Sequence, residues 1–121
     1  MIYTIGKRVN ISAGHHLQGL SEGHPCARPH GHGYSIEVEV TARYLDDSGM
    51  VTDFGLISDV CKRYDHRDLN EMPSFASLNP TAESFAEVLF RELRRILNTD
   101  RVSVTRVRVS ETDTSWAEVT M

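Results

Sequence analysis

Three histidines of this chain have the spacing of metal ligands. His30 and His32 are separated by one residue, so on an extended chain both imidazoles project from the same face. His15 lies in register with the inward face of an earlier predicted strand, whereas His16 points to the other face. If the two strands pair, His15, His30 and His32 converge at one end of the sheet. Three neutral imidazoles with an open fourth position are typical of a catalytic zinc site.

Cys26 precedes His30 by four residues, and two roles are open to it. A thiol near a metal ion or an imidazolium ionises readily and can act as a base or nucleophile. As a fourth ligand, the same thiolate would close the coordination shell and make the site structural. Cys61 falls in a helical pattern typical of a small buried residue, and free thiols are favoured over a Cys26–Cys61 disulfide in a cytosolic chain.

Two further groups could transfer protons or bind a substrate. Asp65 and His66 are adjacent, and a carboxylate that accepts a hydrogen bond from an imidazole raises its basicity near neutral pH. The Glu111 carboxylate could accept two parallel N–H bonds from a guanidine-like edge, such as pterins and guanines present. For each group the alternative is a solvated side chain at the end of an element.

Composition limits the classes of protein that fit. The length of 121 residues predicts a single domain, residues 1–121, with one hydrophobic core. The net charge of -4 argues against a nucleic-acid partner, which would favour a basic face. No apolar run approaches the roughly 20 residues of a membrane span, and the N-terminus lacks the apolar core of a signal peptide. We therefore expect a cytoplasmic protein without a membrane partner.

The elements that must position these residues begin with two long strands. Apolar residues alternate with polar residues and glycine over residues 3–15, which predicts a half-buried strand. Residues 17–29 lack any period and are rich in glycine and proline, which indicates a long loop. The alternation resumes over residues 32–44 and predicts a second strand, which a turn at residues 46–49 ends.

Two helices and two more strands complete the predicted order. Asp53 is the predicted cap of a helix that ends near Asp65, and Thr81 is the predicted cap of a stronger helix that ends at Asn98. Residues 102–112 and 115–121 are rich in β-forming types. A change of phase between residues 104 and 107 predicts a bulge in the first of these strands.

The predicted order is therefore ββααββ. Strands and helices segregated in this way favour an α+β fold, with a four-stranded antiparallel sheet covered on one face by two helices. Such a sheet has two free edges, which association of subunits would cover.

Taken in order, six short motifs resemble the 6-pyruvoyl-tetrahydropterin synthase / 6-carboxy-tetrahydropterin synthase family over nearly the whole chain. Each motif is unspecific alone, but their order and spacing agree with the family. The motifs are ISAGH at 11–15, CARPHGH at 26–32, VTDF at 51–54, DHRDLN at 65–70, NPTAE at 79–83 and SET at 110–112.

The resemblance implies the tunnelling fold and a zinc-dependent lyase that acts on 7,8-dihydroneopterin triphosphate. It also implies a homohexamer with active sites between subunits. The implied roles are zinc ligands for His15, His30 and His32, catalytic thiol for Cys26, proton relay for Asp65 and His66, pterin anchor for Glu111, and lining of the pterin pocket for Thr81 and Thr112.

Only three residues separate Cys26 from His30, which resembles the bacterial 6-carboxy branch of the family. This favours a synthase that releases acetaldehyde and triphosphate in 7-deazapurine or queuosine biosynthesis. A 6-pyruvoyl-type enzyme and a zinc-stabilised binding module without catalysis are the alternatives. Lys7, Arg8 and Arg28 are candidate contacts of the triphosphate because of their charge and their proximity to the loop.

Overall fold

Two antiparallel strands, β1 (Tyr3–His15) and β2 (His30–Ala42), lie side by side in the computed structural model, which describes residues 1–121. Their register runs without interruption from Tyr3 opposite Ala42 to His15 opposite His30. The bounds of β1 confirm the prediction, whereas β2 begins and ends two residues earlier than expected. Pairing with β1 sets both ends of β2, and the alternation of β2 alone could not reveal them.

The sheet has five strands rather than the four predicted, and it is mixed rather than wholly antiparallel. Its order is β3-β1-β2-β4-β5, with β4 at Val102–Thr112 and β5 at Ser115–Thr120. The unpredicted strand, β3 (Arg67–Asp68), runs parallel to β1 opposite Ala13 and Gly14. A strand of two residues is too short to show any alternation, so only tertiary pairing could reveal it.

The predicted bulge in β4 is confirmed. Glu39 pairs with Arg106 whereas the next residue, Val40, pairs with Val104, so Thr105 is an extra residue on β4. The extra residue restores the inward direction of Val107 and Val109, both of which are fully buried.

Helices α1 (Phe54–Lys62) and α2 (Ala82–Leu97) begin at the predicted caps. The Asp53 carboxylate accepts a hydrogen bond from the Gly55 N–H at 2.7 Å, and the Thr81 hydroxyl accepts one from the Ser84 N–H at 3.1 Å. Helix α1 ends three residues before the expected position because residues 63–65 form the tighter i to i+3 bonds of a 3-10 turn.

Both helices cover the face of the sheet that carries the apolar side chains. The core contains 25 buried apolar residues, and at its centre the Tyr34 and Phe85 rings meet edge to face with centroids 5.2 Å apart. The opposite face carries ion pairs such as Arg8 with Glu37 and Arg108 with Glu118. No helix has the length and the apolarity that crossing a membrane requires.

Candidate metal centre and active site

Three imidazoles meet where β1 ends and β2 begins. His15 and His30 face each other across the two strands, and their Nε2 atoms are 2.9 Å apart. His32 completes the group, because one ring nitrogen from each of the three residues lies within 4.8 Å of the others. The strands therefore bring together the three residues that parity predicted, and this group could hold a metal ion.

Hydrogen bonds to the far side of two rings orient their lone pairs. His15 Nδ1 lies 2.7 Å from the Pro80 carbonyl, and His30 Nδ1 lies 2.6 Å from the Arg28 carbonyl. A carbonyl only accepts, so each Nδ1 carries the proton and each Nε2 presents a lone pair. Two lone pairs 2.9 Å apart repel each other unless a cation lies beside both. The donor set therefore fits a bound metal ion.

His15 is the one buried histidine of the protein, with 3% of its surface exposed. Burial lowers the pKa of His15, against an opposite effect of the Pro80 carbonyl and with a further decrease caused by His30. The imidazole is therefore neutral at neutral pH, which is the form that binds a metal. Burial also raises the pKa of Tyr34, whose hydroxyl lies 3.1 Å from His15 Nδ1, and the Glu111 carboxylate adds to this increase.

An open cleft of about 560 Å³ lies beside the imidazoles. Its walls are formed by residues 12–15 of β1, residues 29–33 around the start of β2, and residues 66–68. His66 thus borders the same cleft as the three clustered histidines. A volume of this size is within the range of sites that bind small molecules.

Asp65 and His66 are both hydrogen-bonded to the backbone of one residue of β1, Ser12. The Asp65 carboxylate accepts a hydrogen bond from the Ser12 N–H at 2.8 Å, and the His66 N–H donates to the Ser12 carbonyl at 2.6 Å. His66 has a positive φ of 57°, a strained backbone for a non-glycine residue, and its side chain is 82% exposed. Its Nε2 lies 3.8 Å from the Asp65 carboxylate, close enough for an ion pair but too long for a hydrogen bond.

Cys26 lies in a 3-10 turn, Pro25–Ala27, inside the loop between β1 and β2. Its carbonyl accepts a hydrogen bond from the Leu17 N–H at 2.8 Å. The Cys26 sulfur is not part of the ligand cluster, and the residue does not line the cleft. Both cysteines are free thiols, and burial raises the pKa of Cys61 to about 12, which keeps that thiol protonated.

The remaining predicted residues differ in their distance from the cluster. Glu111 lies near it, because one carboxylate oxygen is 4.0 Å from His32 Nε2. Thr81 caps α2, and Thr112 lies at the turn into β5, where its hydroxyl is 3.4 Å from that of Thr114. Neither threonine lines the cleft, and neither does Arg28, which contributes its carbonyl to His30.

Lys7 and Arg8 lie in the middle of β1, opposite Val38 and Glu37, and neither lines the cleft. The Arg8 guanidinium is already paired with the Glu37 carboxylate at 2.6 Å. This placement does not support the expectation that either residue meets a ligand in the cleft.

No pattern in the sequence points to the groups that orient His15. The Pro80 carbonyl and the Tyr34 hydroxyl lie 65 and 19 positions away from His15 along the chain. Ligating histidines regularly have such partners, but a backbone carbonyl has no residue type that a sequence could reveal.

Comparison with known proteins agrees with the geometry. The family model described as 6-pyruvoyl tetrahydropterin synthase matches residues 4–121. The chain belongs to this family.

Members of the 6-pyruvoyl tetrahydropterin synthase family resemble the chain over most of their length. The 6-carboxy-5,6,7,8-tetrahydropterin synthase of Bacillus subtilis is 31% identical over 121 residues, which span 94% of this chain and 82% of that protein. The protein of the same name from Rickettsia bellii is 29% identical over 135 residues, which span 93% and 96%. The structure of Caenorhabditis elegans 6-pyruvoyl tetrahydropterin synthase matches with a TM-score of 0.84 and 25% identity, over 100% of this chain and 96% of that one.

Membership in the 6-pyruvoyl tetrahydropterin synthase family confirms the resemblance drawn from the six motifs and the α+β tunnelling fold. The named relatives are synthases, and the chain is accordingly a pterin-synthase-type enzyme.

Proposed function

We propose that this protein is a zinc-dependent 6-carboxy-5,6,7,8-tetrahydropterin synthase. In this role it converts 7,8-dihydroneopterin triphosphate to 6-carboxytetrahydropterin, acetaldehyde and triphosphate. The observation that carries the proposal is the convergence of three imidazoles beside an open cleft without a thiolate in their cluster. The names of the Bacillus subtilis and Rickettsia bellii relatives support the 6-carboxy branch.

In this proposal His15, His30 and His32 hold the zinc ion. Zinc suits three neutral imidazoles and leaves room for a fourth ligand from water or substrate. When bound, the ion acts as a Lewis acid that stabilises negative charge on a substrate oxygen. The Pro80 and Arg28 carbonyls keep two of the imidazoles in the required tautomer.

Residues of the chain supply the proton transfers. His66, at the border of the cleft, exchanges protons with the substrate, and the nearby Asp65 carboxylate stabilises its protonated form. Cys26 is the second group that exchanges protons, from the loop that follows β1. Glu111 accepts the N–H groups of the pterin edge, and its charge lies next to His32.

We also propose roles for further residues of the pocket, a pathway for the product and an assembly of subunits. The family resemblance assigns Thr81 and Thr112 to the pterin pocket, although neither borders the cleft of a single chain. Arg28, whose side chain is exposed, would meet the triphosphate because of its charge and its place in the loop. The product enters 7-deazapurine biosynthesis. The protein is a cytoplasmic homohexamer of single-domain chains with active sites between subunits, an arrangement that would bring groups from a second chain to each cleft.

A product assay tests the reaction. Zinc-loaded protein incubated with 7,8-dihydroneopterin triphosphate is expected to release acetaldehyde together with a carboxypterin, as detected by mass spectrometry. A pyruvoyl product without acetaldehyde would instead identify the 6-pyruvoyl branch. Absence of any turnover would contradict both.

The competing class is a zinc-stabilised binding module in which Cys26 is a fourth ligand. The separation of the Cys26 sulfur from the three-histidine cluster favours the enzyme. A Cys26→Ala variant distinguishes the two classes. An enzyme is expected to stay folded and zinc-loaded while it loses turnover, whereas a closed structural site would lose metal and fold together.

A further inference from the structure

Two asparagine side chains bind the backbone of the segment that follows β1. Asn70 Oδ1 accepts a hydrogen bond from the His16 N–H at 2.9 Å, and its Nδ2 donates to the His16 carbonyl at 3.1 Å. Asn79 binds Gln18 in the same way, with both distances at 2.9 Å. Each carboxamide thus pairs with both polar groups of one residue, as a peptide of a neighbouring strand would.

Leu17, which lies between His16 and Gln18, is hydrogen-bonded to the turn that carries Cys26. In an extended chain, successive residues direct their polar backbone groups to opposite sides. His16 and Gln18 meet the asparagines on one side, and the Leu17 N–H donates to the Cys26 carbonyl at 2.8 Å. Residues 16–18 therefore link the two asparagines to the turn that carries Cys26.

Both asparagines are attached to parts of the fold that also form the cleft. Asn70 lies in the turn Leu69–Glu71, directly after β3, and this turn is anchored by the fully buried Leu69. Asn79 precedes Pro80, whose carbonyl orients His15. The two carboxamides therefore connect the loop that carries Cys26 to the same elements that position the imidazoles.

We propose that Asn70 and Asn79 are positioning residues that fix the Cys26 loop, residues 16–29, relative to the three-histidine cluster. This inference rests on the proposed function, in which Cys26 exchanges protons with the substrate. The asparagines do not line the cleft of the histidines, and they act through the backbone of residues 16–18. Misplacing a catalytic group by about 1 Å can lower a rate by roughly 100-fold. The hydrogen bonds from the two asparagines to residues 16 and 18 can therefore affect turnover without contact with the substrate.

Kinetics of the zinc-loaded full-length variants Asn70→Ala and Asn79→Ala test this role. We expect the kcat for acetaldehyde formation to fall by roughly 10- to 100-fold, with KM and zinc content unchanged. The rate at which iodoacetamide alkylates Cys26 should rise, because the released loop exposes the thiol more often. Cys61 does not compete, since it is fully buried.

Asn98 offers a matched control. Its carboxamide also binds backbone, accepting a hydrogen bond from the Val104 N–H at 2.8 Å, but it lies at the end of α2 and outside this segment. Asn98→Ala should lower the melting temperature while kcat and Cys26 alkylation stay at wild-type values. Asn79→Asp keeps the shape of the side chain but replaces the Nδ2 donor with a charged acceptor oxygen that faces the Gln18 carbonyl, so it provides the test if Asn79→Ala does not fold.

Two outcomes would overturn the inference. One is wild-type kcat and Cys26 alkylation in the folded asparagine variants. The other is loss of zinc in parallel with kcat, which would mean that the asparagines support the metal site rather than the loop. If the wild-type protein forms no acetaldehyde, the proposed function fails by itself. In that case, the rate of Cys26 alkylation in the Asn70 and Asn79 variants, compared with that in Asn98→Ala, still shows whether the two asparagines position the loop.

Discussion

The partners of each imidazole decide what the histidines of this protein can do. His15 and His30 each have an Nδ1 committed to a carbonyl, which leaves both Nε2 atoms available to a metal. His66 borders the same cleft, yet its side chain is largely exposed and outside the ligand group. Histidines around one cleft can therefore differ in their chemistry, and the proposed function uses one set as ligands and His66 as a proton carrier.

We predict that His32→Ala weakens zinc binding by more than about 100-fold, because loss of even an outer partner of a ligand lowers metal affinity 10- to 100-fold. His66→Ala is the matched control and should keep full zinc content while it loses turnover. Metal analysis after dialysis against a weak chelator measures both. Equal zinc loss in the two variants would contradict the assigned ligand set.

The start of α2 has two roles. Thr81 caps the helix through its hydroxyl, and the preceding Pro80 directs its carbonyl to His15. The helix that covers the sheet thus also orients a ligand of the candidate metal centre. The cap of α2, Thr81, and the residue that orients His15, Pro80, are thus adjacent in the chain.

We predict that Thr81→Ala lowers the free energy of unfolding by about 1 kcal/mol, because α2 loses its N-terminal cap. Thr81→Ser keeps a hydroxyl and should retain most of the stability. Denaturant unfolding measures this effect, and the KM for the pterin substrate tests the separate expectation that Thr81 lines the pocket. A Thr81→Ala variant with the wild-type free energy of unfolding would contradict the capping role.

The whole sheet is covered on one face and open at its edges. β3 pairs with only two residues of β1, so most of the β1 edge has no neighbour, and β5 forms the other edge. Exposed edges with unpaired N–H and C=O groups favour pairing with further strands. The aromatic Trp116 on β5 is 53% exposed, although Arg108 stacks over its ring at 3.7 Å.

We predict that the protein forms a closed oligomer, with six chains as the expected number, and that this oligomer persists on dilution. Sedimentation equilibrium across a dilution series measures the mass independently of shape. A monomer at micromolar concentration would contradict the prediction and would leave both sheet edges exposed to solvent.

Local patterns were enough to predict much of the fold. Strict alternation identified β1, and polar residues with capping side chains identified the starts of both helices at Asp53 and Thr81. The change of phase in β4 identified its bulge. Each of these features depends on residues that are close in sequence, so a local pattern is enough to predict it.

The alternation along two strands was also enough to predict which histidines meet, because it places His15, His30 and His32 on one face. Only the tertiary structure decided that β3 joins the sheet and that the Pro80 carbonyl orients His15. The same holds for the binding of residues 16–18 by asparagines more than 50 positions away. Contacts between distant segments depend on packing of the complete chain, and neither residue type nor local spacing encodes them.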